Sequence, residues 1–267
     1  MVENLQKLLR HRGLIQSLVA RDLKARYRGS MLGFFWSFVN PLLLLTIYSF
    51  VFQYLLKNRV EAIQIHGPYA VFMFTALLPW TWFQSSLNEA TGSLISGGNL
   101  IKKVLFPAEV LPIVTVVANM VHFLLGLPIL IGFMAYYGIV PDWAELPWFV
   151  AVVGVQLLFT TALALLLSAL AVHFRDVKDL VANLLTFWFF ATPIIYFYGQ
   201  PEFIDYKFYF DLNPFTHLAI SYQELLFFQG PFGHKWWLIA MGAGSIGLFL
   251  AAYWVFDRLR DSFAEAV

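Results

Sequence analysis

The stretch Arg21-Asp-Leu-Lys-Ala-Arg-Tyr-Arg28 gathers Arg21, Lys24, Arg26 and Arg28 around Tyr27, and a charge-free apolar run follows at once from Gly29. Guanidinium forks grip phosphate oxygens in pairs, so this cluster suits an anionic ligand. The same cations at a bilayer edge would also fix topology and attract anionic lipid. On the residues alone both readings stand. Other chemistry is sparse. There is no G-x-x-x-x-G-K-[ST] loop to cradle ATP phosphates and no H-E-x-x-H pair. Gly242-Ala-Gly244-Ser-Ile-Gly247 matches the dinucleotide fingerprint by letter, but it lies within an apolar run and reads as close helix packing. Gly29 and Gly33 read as a similar small-residue pair. The chain has no cysteine and no acidic metal motif, so neither a metal site nor a resident cofactor is expected. His122 is the one titratable group well inside an apolar run: a functional group, or a histidine satisfied by a backbone carbonyl. Glu89 and Glu109 read as interfacial. Catalysis by this chain alone is not expected, and spans without carboxylates argue against ion-coupled transport.

Aromatic side chains are the other resource. Trp36 and Phe38 stand in the first apolar run, Trp188 and Tyr196 in a later one. Tryptophan and tyrosine belts at the membrane surface account for many such residues. A remainder facing a pore would offer broad apolar faces on which sugar rings stack.

The elements that must position these groups follow from composition. Hydrophobic residues make up 60% of the chain, charged ones only 12%, and the mean hydropathy is +0.70. Soluble domains carry roughly 25% charged residues. An all-α integral membrane protein is expected, one domain over 1–267. Six charge-free runs are long enough to span: Gly29–Leu56, Gly67–Asn88, Val110–Pro141, Leu146–Val172, Leu180–Gln200 and Trp236–Phe256, within a region 30–257. They must be helices, because lipid offers no partner for a free backbone group. Of the 17 lysines and arginines, 13 fall on the side that holds both termini, which places the termini in the cytoplasm.

Four connecting pieces carry information. Residues 3–28 read as a cytoplasmic interface helix, with Leu5, Leu8, Leu9, Ile15, Leu18, Val19 and Leu23 on one face and a break at Gly13; a disordered basic arm is the alternative. In the loop 93–107, Asn99 is placed to cap a short helix of Leu100, Ile101, Val104 and Leu105. Lys102 and Lys103 point elsewhere, and Phe106-Pro107 ends it. Such a helix suits a docking surface or a membrane-hugging turn. Phe174 to Asp179 is a charged turn. The external piece 200–235 is too aromatic for a free loop. Asn213-Pro214 starts a helix there that runs to Gln229, roughly 24 Å long and short of a comfortable span. It reads as a re-entrant or interfacial hairpin between spans five and six.

Five motifs in order carry a family resemblance: Arg21-Asp-Leu-Lys-Ala-Arg-Tyr-Arg-Gly with Leu32-Gly33, Trp36 and Asn40-Pro41; Lys103-Val-Leu-Phe-Pro-Ala-Glu-Val-Leu-Pro112; Phe174-Arg-Asp-Val-Lys-Asp179; Thr192-Pro-Ile-Ile-Tyr196; and Asn213-Pro-Phe-Thr-His-Leu218. Together they resemble the ABC-2 type permeases, above all the O-antigen and polysaccharide exporters (the Wzm-type membrane subunit). The resemblance implies a homodimer in a bacterial inner membrane, paired with two copies of a separate ATPase that holds the ATP and Mg. It implies a channel for a polysaccharide on an undecaprenyl diphosphate lipid. Residues Asn99 to Phe106 would be the coupling helix, Arg21 to Arg28 a gate that meets the diphosphate, and 200–235 the exit. Teichoic acid or capsule export and small-molecule efflux are neighbouring readings. An ATP-independent channel or membrane enzyme is the reading from another class. No nucleic-acid partner is expected.

Overall fold

The computed structural model describes residues 11–55, 67–102, 106–200, 205–228 and 230–266. All regular structure in this set is helical. Helix α1 is Arg12–Arg26. A 3-10 turn, Gly33–Phe35, leads into α2, Trp36–Phe50. Then come α3 (Tyr69–Ser96), the short α4 (Gly98–Ile101), α5 (Val110–Tyr136), α6 (Leu146–His173) and α7 (Val177–Phe190). The last three are α8 (Lys207–Leu212), α9 (Pro214–Leu226) and α10 (Lys235–Ala266).

Four helical stretches among the described residues are long and apolar enough to cross a membrane: Gly33–Phe50, Val110–Tyr136, Trp143–His173 and Lys235–Phe263. Helix α3 has the length, at 28 residues, but a more polar composition. Its place in the fold explains that. It runs through the middle of the bundle, packed by α2, α5, α6, α7 and α9. Phe72, Phe74, Trp80, Trp82 and Phe83 on it are almost wholly buried, and so are Thr75, Ser86 and Thr91. Protein rather than lipid surrounds it, so its polar atoms find partners. The Trp82 indole donates to the Val116 carbonyl at 3.1 Å, and the Gln156 amide donates to the Pro79 carbonyl at 2.8 Å.

Three expectations need correction. Helix α1 begins at Arg12, and the residues before the break expected at Gly13 lie outside the described ones but for His11 and Arg12; its buried residues Leu18 and Val19 lie against Val110, Val114 and Ala118 of α5. Its apolar face therefore meets protein; the assignment of Leu5, Leu8 and Leu9 lies outside the described residues. Gly29 and Gly33 do not pack closely. Both take positive φ, +79° and +51°, and nothing stands within 4 Å of a Cβ built there, so they are glycines for conformation. The run Leu180–Gln200 is not one helix. Helix α7 is 14 residues, about 21 Å, and stops at Phe190 ahead of Thr192-Pro193.

Helix α9 obeys its sequence signals at the start: Asn213 accepts the Phe215 N–H at 3.0 Å as the cap, with Pro214 in the first turn. It ends at Leu226 rather than Gln229 and is buried along nearly its whole length. Of the three glycines 242–247, only Gly242 approaches a neighbour, Val155 of α6.

Candidate functional site

Of the cations Arg21, Lys24, Arg26 and Arg28, Arg26 meets the bundle in a cleft of about 390 Å³. Helix α1 supplies Arg26 and the residue that caps its end, Tyr27, α2 supplies Trp36, Ser37 and Asn40, α3 supplies Trp82, Ser85 and Glu89, and α5 supplies Asn119 and His122. Arg26 organises it. Its Nη2 donates to Glu89 Oε2 at 2.5 Å and its Nη1 to Glu89 Oε1 at 3.1 Å. Its Nε donates to Asp22 Oδ2 at 2.9 Å, one helical turn back. Asn119 completes the group: its Nδ2 donates to Glu89 Oε2 at 2.9 Å, and its Oδ1 accepts from Arg26 Nη1 at 3.2 Å. Burial works against the guanidinium's charge, but Glu89 and Asp22 outweigh it, and its hold on the proton is raised.

A second polar group lies beside it. The Tyr27 hydroxyl and Ser37 Oγ stand 2.6 Å apart, and His122 Nδ1 is 3.2 Å from the Tyr27 oxygen and 3.4 Å from Ser37 Oγ. His122 thus bonds to side chains of α1 and α2 rather than to a backbone carbonyl. Among the described residues no carboxylate hydrogen-bonds its ring as a nucleophile-activating base would require. Among the described residues no three His, Asp or Glu side chains could share a metal ion.

The other cations of the motif differ from Arg26. Arg21, Lys24 and Arg28 are exposed and make no ion pair among the described residues. They are free to meet an anion or lipid. Sequence reasoning missed Glu89, Asn119 and Ser37. An asparagine within the apolar run 110–141 was the available signal, because a polar side chain there needs a partner.

The four aromatic candidates do not share a surface within the chain. Trp36 lines the cleft. Phe38 lines neither this cleft nor the next and packs edge-on to Phe34, ring centroids 5.9 Å apart. Trp188 and Tyr196 line a separate open recess of about 760 Å³ with Phe187, Tyr209, Phe210 and Asn213. The Trp188 indole is fixed there by a 2.7 Å bond to Asn213 Oδ1. Asn213 in turn donates to the Ala191 carbonyl and Thr192 Oγ1.

The loop expected to dock is described on either side of residues 103–105. Helix α4 holds Asn99, Leu100 and Ile101, but it starts at Gly98, and Asn99 lies inside it rather than capping it. Ile101 packs inward against the cluster of Leu94, Ala108, Leu165, Phe256 and Phe263, while Asn99 and Lys102 are exposed and Leu100 is half-buried. Phe106 faces the Leu18–Val19 cluster. Lys103, Val104 and Leu105 lie outside the described residues.

Comparison with known proteins gives a consistent result. The family model described as "ABC-2 type transporter" matches residues 13–227. A Myxococcus xanthus protein named "O-antigen export system permease protein RfbA" is 39% identical over 268 residues, covering 100% of both chains. A Klebsiella pneumoniae protein of the same name is 33% identical over 94% of each. A Neisseria meningitidis "Capsule polysaccharide export inner-membrane protein CtrC" is 24% identical over 64% of this chain and 63% of its own.

Proposed function

The chain belongs to the ABC-2 type transporter family, and from that premise we infer that it is the membrane permease subunit of an ATP-driven exporter of a lipid-linked polysaccharide. Two similar proteins that match it over nearly their full length are named for O-antigen export, and the more distant one for capsule export. O-antigen export is therefore the first reading and capsule export the second. The carrier is an undecaprenyl diphosphate lipid in the inner membrane.

The observation that carries this reading is the cleft at Arg26. A guanidinium fork stands at its rim beside the exposed cations Arg21, Lys24 and Arg28. Trp36 offers a ring, and Tyr27, Ser37 and Asn119 offer hydrogen bonds. Diphosphate needs the cations, and a sugar needs the ring and the hydroxyls. The chain crosses the membrane six times with both termini in the cytoplasm, α3 and the broken stretch from α7 to the turn at 191–200 serving as the other two crossings. Helices α8 and α9 form an external re-entrant hairpin.

Two copies enclose the channel. Helix α7 supports this: Leu180, Leu184 and Phe187 are exposed along one face, as are Leu43, Ile47 and Phe50 of α2. Each copy binds one ATPase through α4, and ATP and Mg reside on that partner. The transport cycle is a two-state change biased by nucleotide.

The test is reconstitution with the neighbouring ATPase in vesicles that contain the lipid-linked polymer. Polymer should cross only with ATP, and Arg21→Gln with Arg28→Gln should cut export about tenfold, near 1.4 kcal/mol of lost headgroup attraction. Export of a small amphipathic dye but not the polymer would sink the polysaccharide reading.

A further inference from the structure

We propose that Glu89 is a built-in counter-anion: in the resting protein its carboxylate occupies the Arg26 fork, and an arriving diphosphate headgroup displaces it. This rests on the reading of the α1 cations as the headgroup site. The two terminal nitrogens of Arg26 each meet one oxygen of Glu89, at 3.1 and 2.5 Å. That end-on, paired arrangement is the one a phosphate would use. The remaining nitrogen donates to Asp22 at 2.9 Å and Nη1 also donates to Asn119, so four of the five N–H groups are engaged and the paired face is taken by Glu89. An anion that is to grip Arg26 in that paired geometry must replace Glu89.

Three further observations fit replacement better than a fixed brace. The pair is not sealed: side-chain exposure is 25% for Arg26 and 40% for Glu89, so water and a charged headgroup reach both. Half-solvated pairs of this kind are weak enough to exchange. The pair stands in the wall of the cleft that also holds Tyr27, Ser37 and His122. And Asn119, only 4% exposed, contacts both partners, donating to Glu89 and accepting from Arg26. Its acceptor oxygen keeps Arg26 in place when the carboxylate leaves, and its released amide is a donor for the incoming phosphate.

Displacement has a mechanical result. Glu89 ties the end of α1 to α3, whereas Leu18 and Val19 tie its middle to α5. Losing the first tie uncouples the end of α1 from α3, while Asn119 and the apolar attachment hold it to α5. Headgroup arrival is thereby converted into release of the end of α1 from α3.

The experiment uses the permease–ATPase complex in lipid nanodiscs, with undecaprenyl diphosphate as the probe and inorganic pyrophosphate as a parallel arm. Glu89→Gln keeps the shape and removes the charge. It should bind undecaprenyl diphosphate about five- to tenfold more tightly, the size of one removed competing charge pair. Nitroxide labels on α1 and α3 should show in Glu89→Gln the widened spacing that wild type adopts only with the probe. Should Glu89→Gln misfold, Glu89→Asp, with its shorter reach, should shift affinity in the same direction by less. Unchanged or weaker binding in Glu89→Gln, with Arg26→Gln still weakening it, overturns the proposal and makes Glu89 a brace while the headgroup reading survives. If Arg26→Gln leaves binding unaltered, the headgroup reading itself fails. Equal competition by pyrophosphate would assign the fork to free phosphate and overturn the proposal as stated for a lipid.

Discussion

Arg260, near the end of α10, places its Nη2 3.1 Å from Oε1 of Glu109, at the threshold of α5. The Glu109 side chain is 4% exposed, and Leu259, Phe256 and Phe263 pack around the same point with Ile101 and Ala108. The end of the chain thus braces the segment that connects α4 to α5. Glu109→Ala should destabilise the protein by about 1–3 kcal/mol, less than a fully buried pair because the Arg260 side chain is 30% exposed. Thermal unfolding in detergent should show it. If the brace aligns α4, ATP hydrolysis should also lose its dependence on polymer before the ATPase dissociates.

Helix α4 allows a sharper division. Leu100→Asp, on its half-buried edge, should weaken ATPase association about tenfold with the permease still folded. Ile101→Asp should instead cost about 2–4 kcal/mol of stability, because it drives a charge into the cluster of Phe256 and Phe263. Pull-down and unfolding measured on the same two samples separate docking from packing. Equal loss of association without destabilisation in Ile101→Asp would contradict its inward orientation.

The α7 stripe makes a dimer prediction. Cysteine is absent from the natural sequence, so Leu184→Cys gives one reactive thiol. Oxidation in native membranes should yield a covalent dimer, while Val181→Cys, facing the chain's own core, should yield none. Crosslinking at neither position would assign the stripe to lipid.

Where α9 meets the start of α10, His217 Nδ1 and His234 Nε2 stand 3.0 Å apart, His217 stacks on Trp237, and Glu224 lies 3.8 Å from His234 Nδ1. Burial first, then the neighbouring His217 ring, pushes His234 down to about 4; Asp211 opposes this and Lys207 adds to it. The folded value lies below the unfolded 6.5, so the unfolded chain takes up the proton first. The packing of α9 against α10 should be fully stable above pH 6.5 and weaken as pH falls toward 4. Hydrogen exchange across residues 205–228 should rise over that interval, and His234→Gln should flatten the profile.

How much of this was written in the sequence depends on distance along the chain. The start of α9 was legible because Asn213 and Pro214 act within one turn. So was the end of α7, had Pro193 been weighed against the apolar run around it. The glycines 29 and 33 were misread, because spacing alone does not tell a packing glycine from one needed for positive φ. The cleft was only half visible. Its cations lie together, but Glu89 and Asn119 are 63 and 93 residues from Arg26, and only the packing of three helices joins them. A charge that looks interfacial by position becomes a partner by topology.

The enclosure of α3 bears on how the protein is made. A helix that carries Thr75, Gln84, Ser85, Asn88 and Glu89 gains little by leaving the insertion machinery for open lipid. Of the helices that pack it, α2 precedes it, and α5, α6, α7 and α9 are synthesised after it. Biogenesis must therefore hold α3 in a sheltered place until nearly half the chain has followed. Truncation after α5 should leave it exposed to quality-control proteases, so the order of synthesis, as much as the final packing, limits how much of this permease reaches the membrane.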